Sequence, residues 1–106
     1  MDNEKIMCSA IWVKDEDIKY VHYPTNINHG LVVLGYRHHN CLEQISKMVD
    51  RQRMINVGYV QGFLTNNNRF VDRVEAKVIA FKQNQLLPNY SKGNELYSED
   101  VWLINE

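Results

Sequence analysis

The sequence predicts an α+β protein, α/β in its mixture of elements. A small N-terminal antiparallel sheet carries two helices, and the chain pairs with a second copy of itself. Three observations predict this. Residues 5–13 and 31–34 are apolar runs of strand length, separated by turn-forming residues. Two later stretches, 40–54 and 72–84, repeat apolar residues at helical spacing behind residues that cap helices. The first strand and the last helix are each apolar on two sides, more than one small chain readily covers.

At 106 residues the chain is long enough for one core, and a single domain is expected over 1–106. Hydrophobic residues make up 44% and charged residues 24%, the balance of an ordinary globular protein. A net charge of -1 argues against a broad surface for polymeric nucleic acid, which needs a basic excess. A small anion needs only a local cluster, so it stays allowed. Cys8 and Cys41 lie far apart and do not form a disulfide framework, which fits a reducing cytoplasm. The start M-D-N-E-K is acidic and polar, unlike a signal peptide, and no apolar run approaches membrane-spanning length, so no membrane is expected.

In chain order, 5–13 reads as a strand with Ile6, Cys8, Ala10 and Trp12 on one side and Met7, Ile11 and Val13 on the other. The acidic triplet Asp15, Glu16 and Asp17 is a solvated turn rather than a metal site. Residues 18–23 return as a second strand, making a hairpin. A loop over 24–30 leads to a third strand at 31–34. Asn40 is expected to cap a helix running to Met54, with Cys41, Leu42, Ile45, Met48 and Val49 as its apolar stripe. An extended run over 59–64 meets the asparagines 66–68, which tolerate left-handed backbone and mark a tight turn. After the extended residues 69–71, Asp72 caps the second helix, with Glu75 completing a capping box. In that helix Val74, Val78 and Phe81 form one stripe, and Ala76, Ile79 and Ala80 lie roughly opposite. Residues 87–93 are loop. In the tail Ser98 opens a last helical turn, or Tyr97 and Trp102 pin an extended arm onto the body.

Two clusters have chemistry to offer. Phe63, Arg69, Phe70 and Arg73 place aromatic faces beside two guanidiniums at a helix start, which suits a ligand with a flat ring and a phosphate. The alternative is that the phenylalanines are core and the arginines solvated. The run 37–41 (R-H-H-N-C) admits three readings. It could supply zinc ligands or a Cys-His nucleophile pair, but the ligands are adjacent and few others exist. Cys41 could be core while the histidines pack at the helix start. Or Arg37 with His38 and His39 could face an anion at a helix N-terminus, giving a second anion-binding corner. No phosphate-cradling glycine loop and no oriented general base is evident, so neither a catalytic residue nor a metal or cofactor is assigned.

Four segments together resemble the first family of phage Thoeris anti-defence proteins. They are 35–41 (G-Y-R-H-H-N-C), 61–65 (Q-G-F-L-T), 69–80 (R-F-V-D-R-V-E-A-K-V-I-A) and 98–102 (S-E-D-V-W). The resemblance implies a non-enzymatic sponge in the cytoplasm of the infected bacterial host. Such a protein sequesters cyclic ADP-ribose isomers made by TIR-domain immune enzymes, with cyclic oligonucleotides taken up by some members at a separate site. It implies a small α/β fold that forms homodimers, which assemble into hexamers. Carried over by motif, Arg37, Phe63, Asp72 and Arg73 would face the ligand, and Lys92 is the candidate for a basic residue after the second helix. His38 and Arg69 join the candidate site from the reading of the residues. The family pattern often has glycine before the glutamine that follows the second helix; here Asn84 precedes Gln85. Two other classes compete: a nucleotide-processing enzyme using Cys41, His38 or His39, and a protein-protein inhibitor acting through an apolar face.

Overall fold

A computed structural model describes residues 3–18 and 23–102. Four strands form one sheet: β1 (Ile6–Val13), β2 (Leu31–Gly35), β3 (Tyr59–Thr65) and β4 (Phe70–Asp72), in the order β2-β1-β3-β4, with every pair antiparallel. Helices α1 (His38–Ser46), α2 (Arg51–Val57) and α3 (Arg73–Lys82) complete an α+β fold, and a 3-10 turn at Ser98–Asp100 follows. The strand expected over 18–23 falls largely on residues 19–22, outside the described residues. Within the sheet, β1 is flanked by β2 and β3.

Strand alternation sorts the side chains into two layers. Ile11 and Val13 of β1 stand beside Val33 and Leu31 of β2 and pack with Cys41, Ile45, Val49 and Met54 from the first two helices. On the same side Phe63 and Val71 pack with Ala76, Ile79 and Ala80 of α3 and with Leu96. A bulge between Ile6 and Cys8 shifts the register of β1 against β3. The extra residue carries Ile6 out of the even-numbered set expected for it and into the core with Phe63, while Met7 is left exposed. Gln85 holds the bulge: its side-chain oxygen accepts from Ile6 N at 2.9 Å and its nitrogen donates to Ile6 O at 2.9 Å.

The opposite sheet face carries Ala10, Trp12, Val32, Val60, Leu64 and Phe70, and the loop at 23–30 packs on it through Tyr23 and Ile27. The loop also finishes the β4 edge. The Asn26 amide donates to Phe70 O at 2.7 Å and accepts from Phe70 N at 2.9 Å, replacing the strand that would otherwise pair there. So β1 is covered on both sides, as its composition predicts, with a loop as the second cover.

The helix expected over 40–54 is broken. α1 ends at Ser46 and α2 begins at Arg51. A straight helix would bring Gln52 and Asn56 onto the stripe begun by Cys41 and Ile45, and both are polar. The break re-aims the chain so that Met54 is buried and Arg53 forks onto Asp15. Leu42 and Met48, assigned to the stripe, are exposed. The start is also displaced. Arg37 occupies the N-cap, and Asn40 sits at the third helical position, its oxygen accepting from Arg37 N at 2.9 Å.

Asp72 caps α3 as expected, accepting from Glu75 N at 2.9 Å. The Glu75 carboxylate does not reach back to close the box; it accepts from Arg69 at 2.7 Å. Beyond α3, Asn84 has a φ of 60°, the left-handed region where glycine is usual. Asparagine meets that backbone requirement because it tolerates left-handed angles. Asn68, in the asparagine turn, is left-handed as well, with φ 58°.

Candidate functional site

Two helix starts approach one another around β3. His38, in the first turn of α1, places Nε2 2.7 Å from the carbonyl of Gly62 on β3. A carbonyl only accepts, so Nε2 carries the proton and donates. The His38 ring meets Phe63 edge-on, with centroids 5.0 Å apart. Burial holds His38 below the usual histidine range. The Gly62 bond opposes this, and the nearby Arg73 charge adds to the lowering. His38 is thus a neutral pillar between α1 and β3.

The C-terminal arm closes over the same place. Trp102 lies 6.3 Å from Phe63 and 5.6 Å from Tyr36, centroid to centroid, and its carbonyl accepts from Arg37 Nη2 at 3.3 Å. The Arg37 guanidinium rests over the Tyr36 ring at 4.7 Å. Leu96 N donates to Arg73 O at 2.9 Å, and the Arg73 guanidinium lies 4.8 Å from the Tyr97 ring. Both readings of the tail therefore hold together: a helical turn at Ser98, within an arm pinned by Tyr97 and Trp102.

Each candidate residue now has a place. Phe63 is fully buried, so it offers no open face for stacking; its ring is spent on the core, His38 and Trp102. Arg37 is buried beneath the arm. Arg69 is committed to carboxylates: it forks onto Glu4 at 2.8 and 2.9 Å and reaches Glu75 at 2.7 Å. Those bonds hold Glu4 below the usual carboxylate range and raise Arg69. Thr65 Oγ1 also donates to Glu4, at 2.7 Å, so this cluster ties the N-terminal segment to the β3–β4 turn. Lys92 is exposed and lines a different groove, along the outer side of α3. Asp72 and Arg73 remain together at an open mouth.

That mouth is a groove of about 410 Å³ between β3 and the start of α3, lined by Tyr59, Gln61, Asp72, Arg73, Val74 and Glu95 among others. Arg73 Nη2 donates to Gln61 Oε1 at 3.1 Å, while its Nε is buried without a hydrogen-bond partner among the described residues. A buried unpaired donor on a cation at the first position of a helix is matched to an anion. The sequence reading missed Tyr59, Gln61 and Glu95. The signal for the first two is plain afterwards: Tyr59, Gln61 and Phe63 alternate on one strand face, and Gln61 is the polar member. Glu95 has no local signal, because the fold of the arm brings it there.

Cys41 is buried on the inner face of α1, and burial pushes its thiol up to about 11. Among the described residues no three His, Cys, Asp or Glu side chains gather where they would hold a metal ion. No described helix is long and apolar enough to cross a membrane.

The sequence model of the phage T4 y16D protein family matches residues 5–102, nearly the whole chain. The chain belongs to that family. Neither the curated proteins nor the solved structures contain a match to it. In this y16D-family chain the matched span takes in the whole sheet, the three helices and the arm that closes over Phe63.

Proposed function

We propose that this phage protein captures a small anionic, ring-bearing signal of the cyclic ADP-ribose class and holds it without cleaving it. In this reading it works in the cytoplasm of the infected host, as a homodimer, against immune signalling. The observation that carries the reading is the Arg73 groove. A guanidinium with a buried, unpaired Nε stands at a helix N-terminus, beside a capping carboxylate and an exposed tyrosine ring. Arg73 would hold a phosphate oxygen, Tyr59 would offer its ring to a base, and Gln61 and Glu95 would meet ribose or base polar groups. Arg37 and Phe63 then act from beneath, by fixing the arm that forms one wall.

Capture rather than turnover is favoured by the state of the groups an enzyme would use. His38 donates its one proton to a backbone carbonyl and is held neutral. The Cys41 thiol is enclosed and far from thiolate at neutral pH. Calorimetry with cyclic ADP-ribose isomers tests the reading, followed by heating to release whatever is bound. Wild type should bind one isomer and release it intact. Arg73→Ala should weaken binding by about tenfold to a hundredfold. Release of a cleaved product, or no binding across the isomers and cyclic oligonucleotides, would overturn the proposal.

A further inference from the structure

A second hollow lies beside the Arg73 groove, where α1 gives way to α2. It measures about 250 Å³. Leu42, Ile45, Val49, Met54 and Ile55 supply its apolar lining, and Tyr59 forms a wall. Ile45, Val49 and Met54 belong to the core, but Leu42 is 39% exposed, Ile55 52% and Tyr59 41%. Single exposed apolar side chains need no explanation; three that converge on one concave apolar hollow point to an occupant. Polar groups are few. Among the described residues the lining offers Ser46, Arg51 and the Tyr59 hydroxyl, and no acid. Ser46 Oγ already donates to Glu43 O at 2.7 Å, within its own helix.

Tyr59 connects this hollow to the anion site. As the first residue of β3 it lines both the hollow and the Arg73 groove. The two neighbours differ in chemistry. One presents a buried Arg73 Nε that has no partner among the described residues; the other presents an apolar surface.

We infer that the two form one site, divided by Tyr59, for an amphiphilic anion, resting on the capture reading only for the anion's place at Arg73. A phosphate or similar oxyanion sits at Arg73, and an uncharged aryl or short alkyl group of the same molecule fills the hollow. Size agrees. An apolar cavity of about 150 Å³ admits benzene, so this hollow has room for a substituted ring. Chemistry selects the group. The edge of a nucleobase carries several donors and acceptors, and the hollow would leave them unpaired. Such edges belong with Gln61 and Glu95 in the Arg73 groove. A cationic group is disfavoured too, because Arg51 brings the same charge. The break between α1 and α2 thus does more than bury Met54: it opens a binding pocket at the bend.

The test uses small probes rather than a cyclic nucleotide, so its failure and that of the capture proposal are told apart. Isotope-labelled protein is titrated with inorganic phosphate and with phenyl phosphate, and amide and methyl resonances are followed by NMR. Inorganic phosphate should shift Arg73 and Val74. Phenyl phosphate should shift these together with Leu42, Met54 and Ile55 along one saturation curve. It should bind about tenfold to a hundredfold tighter than phosphate, the gain from enclosing a phenyl ring. Arg73→Ala should weaken both probes. Ile55→Gln and Leu42→Gln, made separately at exposed positions, should each erase most of the advantage of phenyl phosphate. Should one of them fail to fold, the other decides. Phenyl phosphate that binds no tighter than phosphate, shifts that leave the hollow untouched, or an advantage retained in a folded glutamine variant would overturn the inference. So would self-association that already covers Leu42 and Ile55, seen as concentration-dependent shifts there without any probe. If no cyclic ADP-ribose isomer binds while phenyl phosphate behaves as stated, the capture proposal falls and the two-part site stands.

Discussion

Gly62 shows how much one position can carry. A methyl group there would meet Val71 O at 2.1 Å and the tip of the Phe70 ring at 2.9 Å, so the site tolerates no side chain. The same residue gives its carbonyl to His38. Gly62→Ala should therefore cost about 1–3 kcal/mol from overpacking, read as a lower urea midpoint, while an alanine at exposed Gly93 should cost less despite its positive φ. Phe63 changes meaning between sequence and structure. As a stacking residue it would lose ligand affinity on truncation; as an enclosed ring it should lose about 3–5 kcal/mol of stability. Thermal melts of Phe63→Ala without ligand should show that loss. A near-normal melt would return the residue to the binding role. Arg69→Ala takes the cationic partner from the buried Glu4 carboxylate, leaving the Thr65 bond in place, and should cost about 1–3 kcal/mol, with ligand affinity retained once the protein is kept folded.

Among the elements, the break between α1 and α2 has the clearest cause and the clearest test. It exists because the polar Gln52 and Asn56 would otherwise face the core and Met54 would not. Met54→Ala should cost about 2–5 kcal/mol, more than an alanine at exposed Met48, and hydrogen exchange in α2 should rise first. Cys41, at the centre of the α1 contact, should lose about 1 kcal/mol on change to alanine. Its buried thiol should stay unreactive toward alkylating reagents at neutral pH until the protein unfolds.

At the scale of the molecule, acid should unfold the protein in two stages. His38 has a lowered value in the folded state. Below the unfolded value of about 6.5 the open chain takes up a proton that the folded chain refuses, so stability falls as pH falls. The second stage belongs to Glu4, Asp15 and Asp100, all held low in the folded state. Arg69 does this for Glu4 and Arg53 for Asp15. For Asp100, burial pushes upward but is outweighed by bonds from Ser91 N and Oγ and from Tyr97 N. Their stabilisation is present above the unfolded carboxylate values of about 4 and is lost as pH falls through the lower folded ones. Melting temperature followed from pH 7 to pH 3 should show both stages. His38→Gln, which keeps an amide donor for Gly62 but cannot titrate, should flatten the stage between pH 7 and 5 and leave the second intact.

The sequence by itself determined the elements whose signals are local. Asp72 caps α3 because its carboxylate and the amide it serves are three residues apart, and the asparagine turn forms because asparagine tolerates left-handed backbone. Strand and helix periods likewise fixed the α+β class, and motif alone placed Arg73 at a helix start. What only the tertiary structure decided is where neighbours from distant segments fall. No local pattern says that Glu4 and Glu75 will consume Arg69, that Trp102 will roof Phe63, that Asn26 will finish the β4 edge, or that a bulge will turn Ile6 inward. An aromatic beside two arginines reads the same whether it lines a pocket or a core. The difference is set by which distant side chain arrives to cover it, and that is a property of the closed chain rather than of any stretch within it.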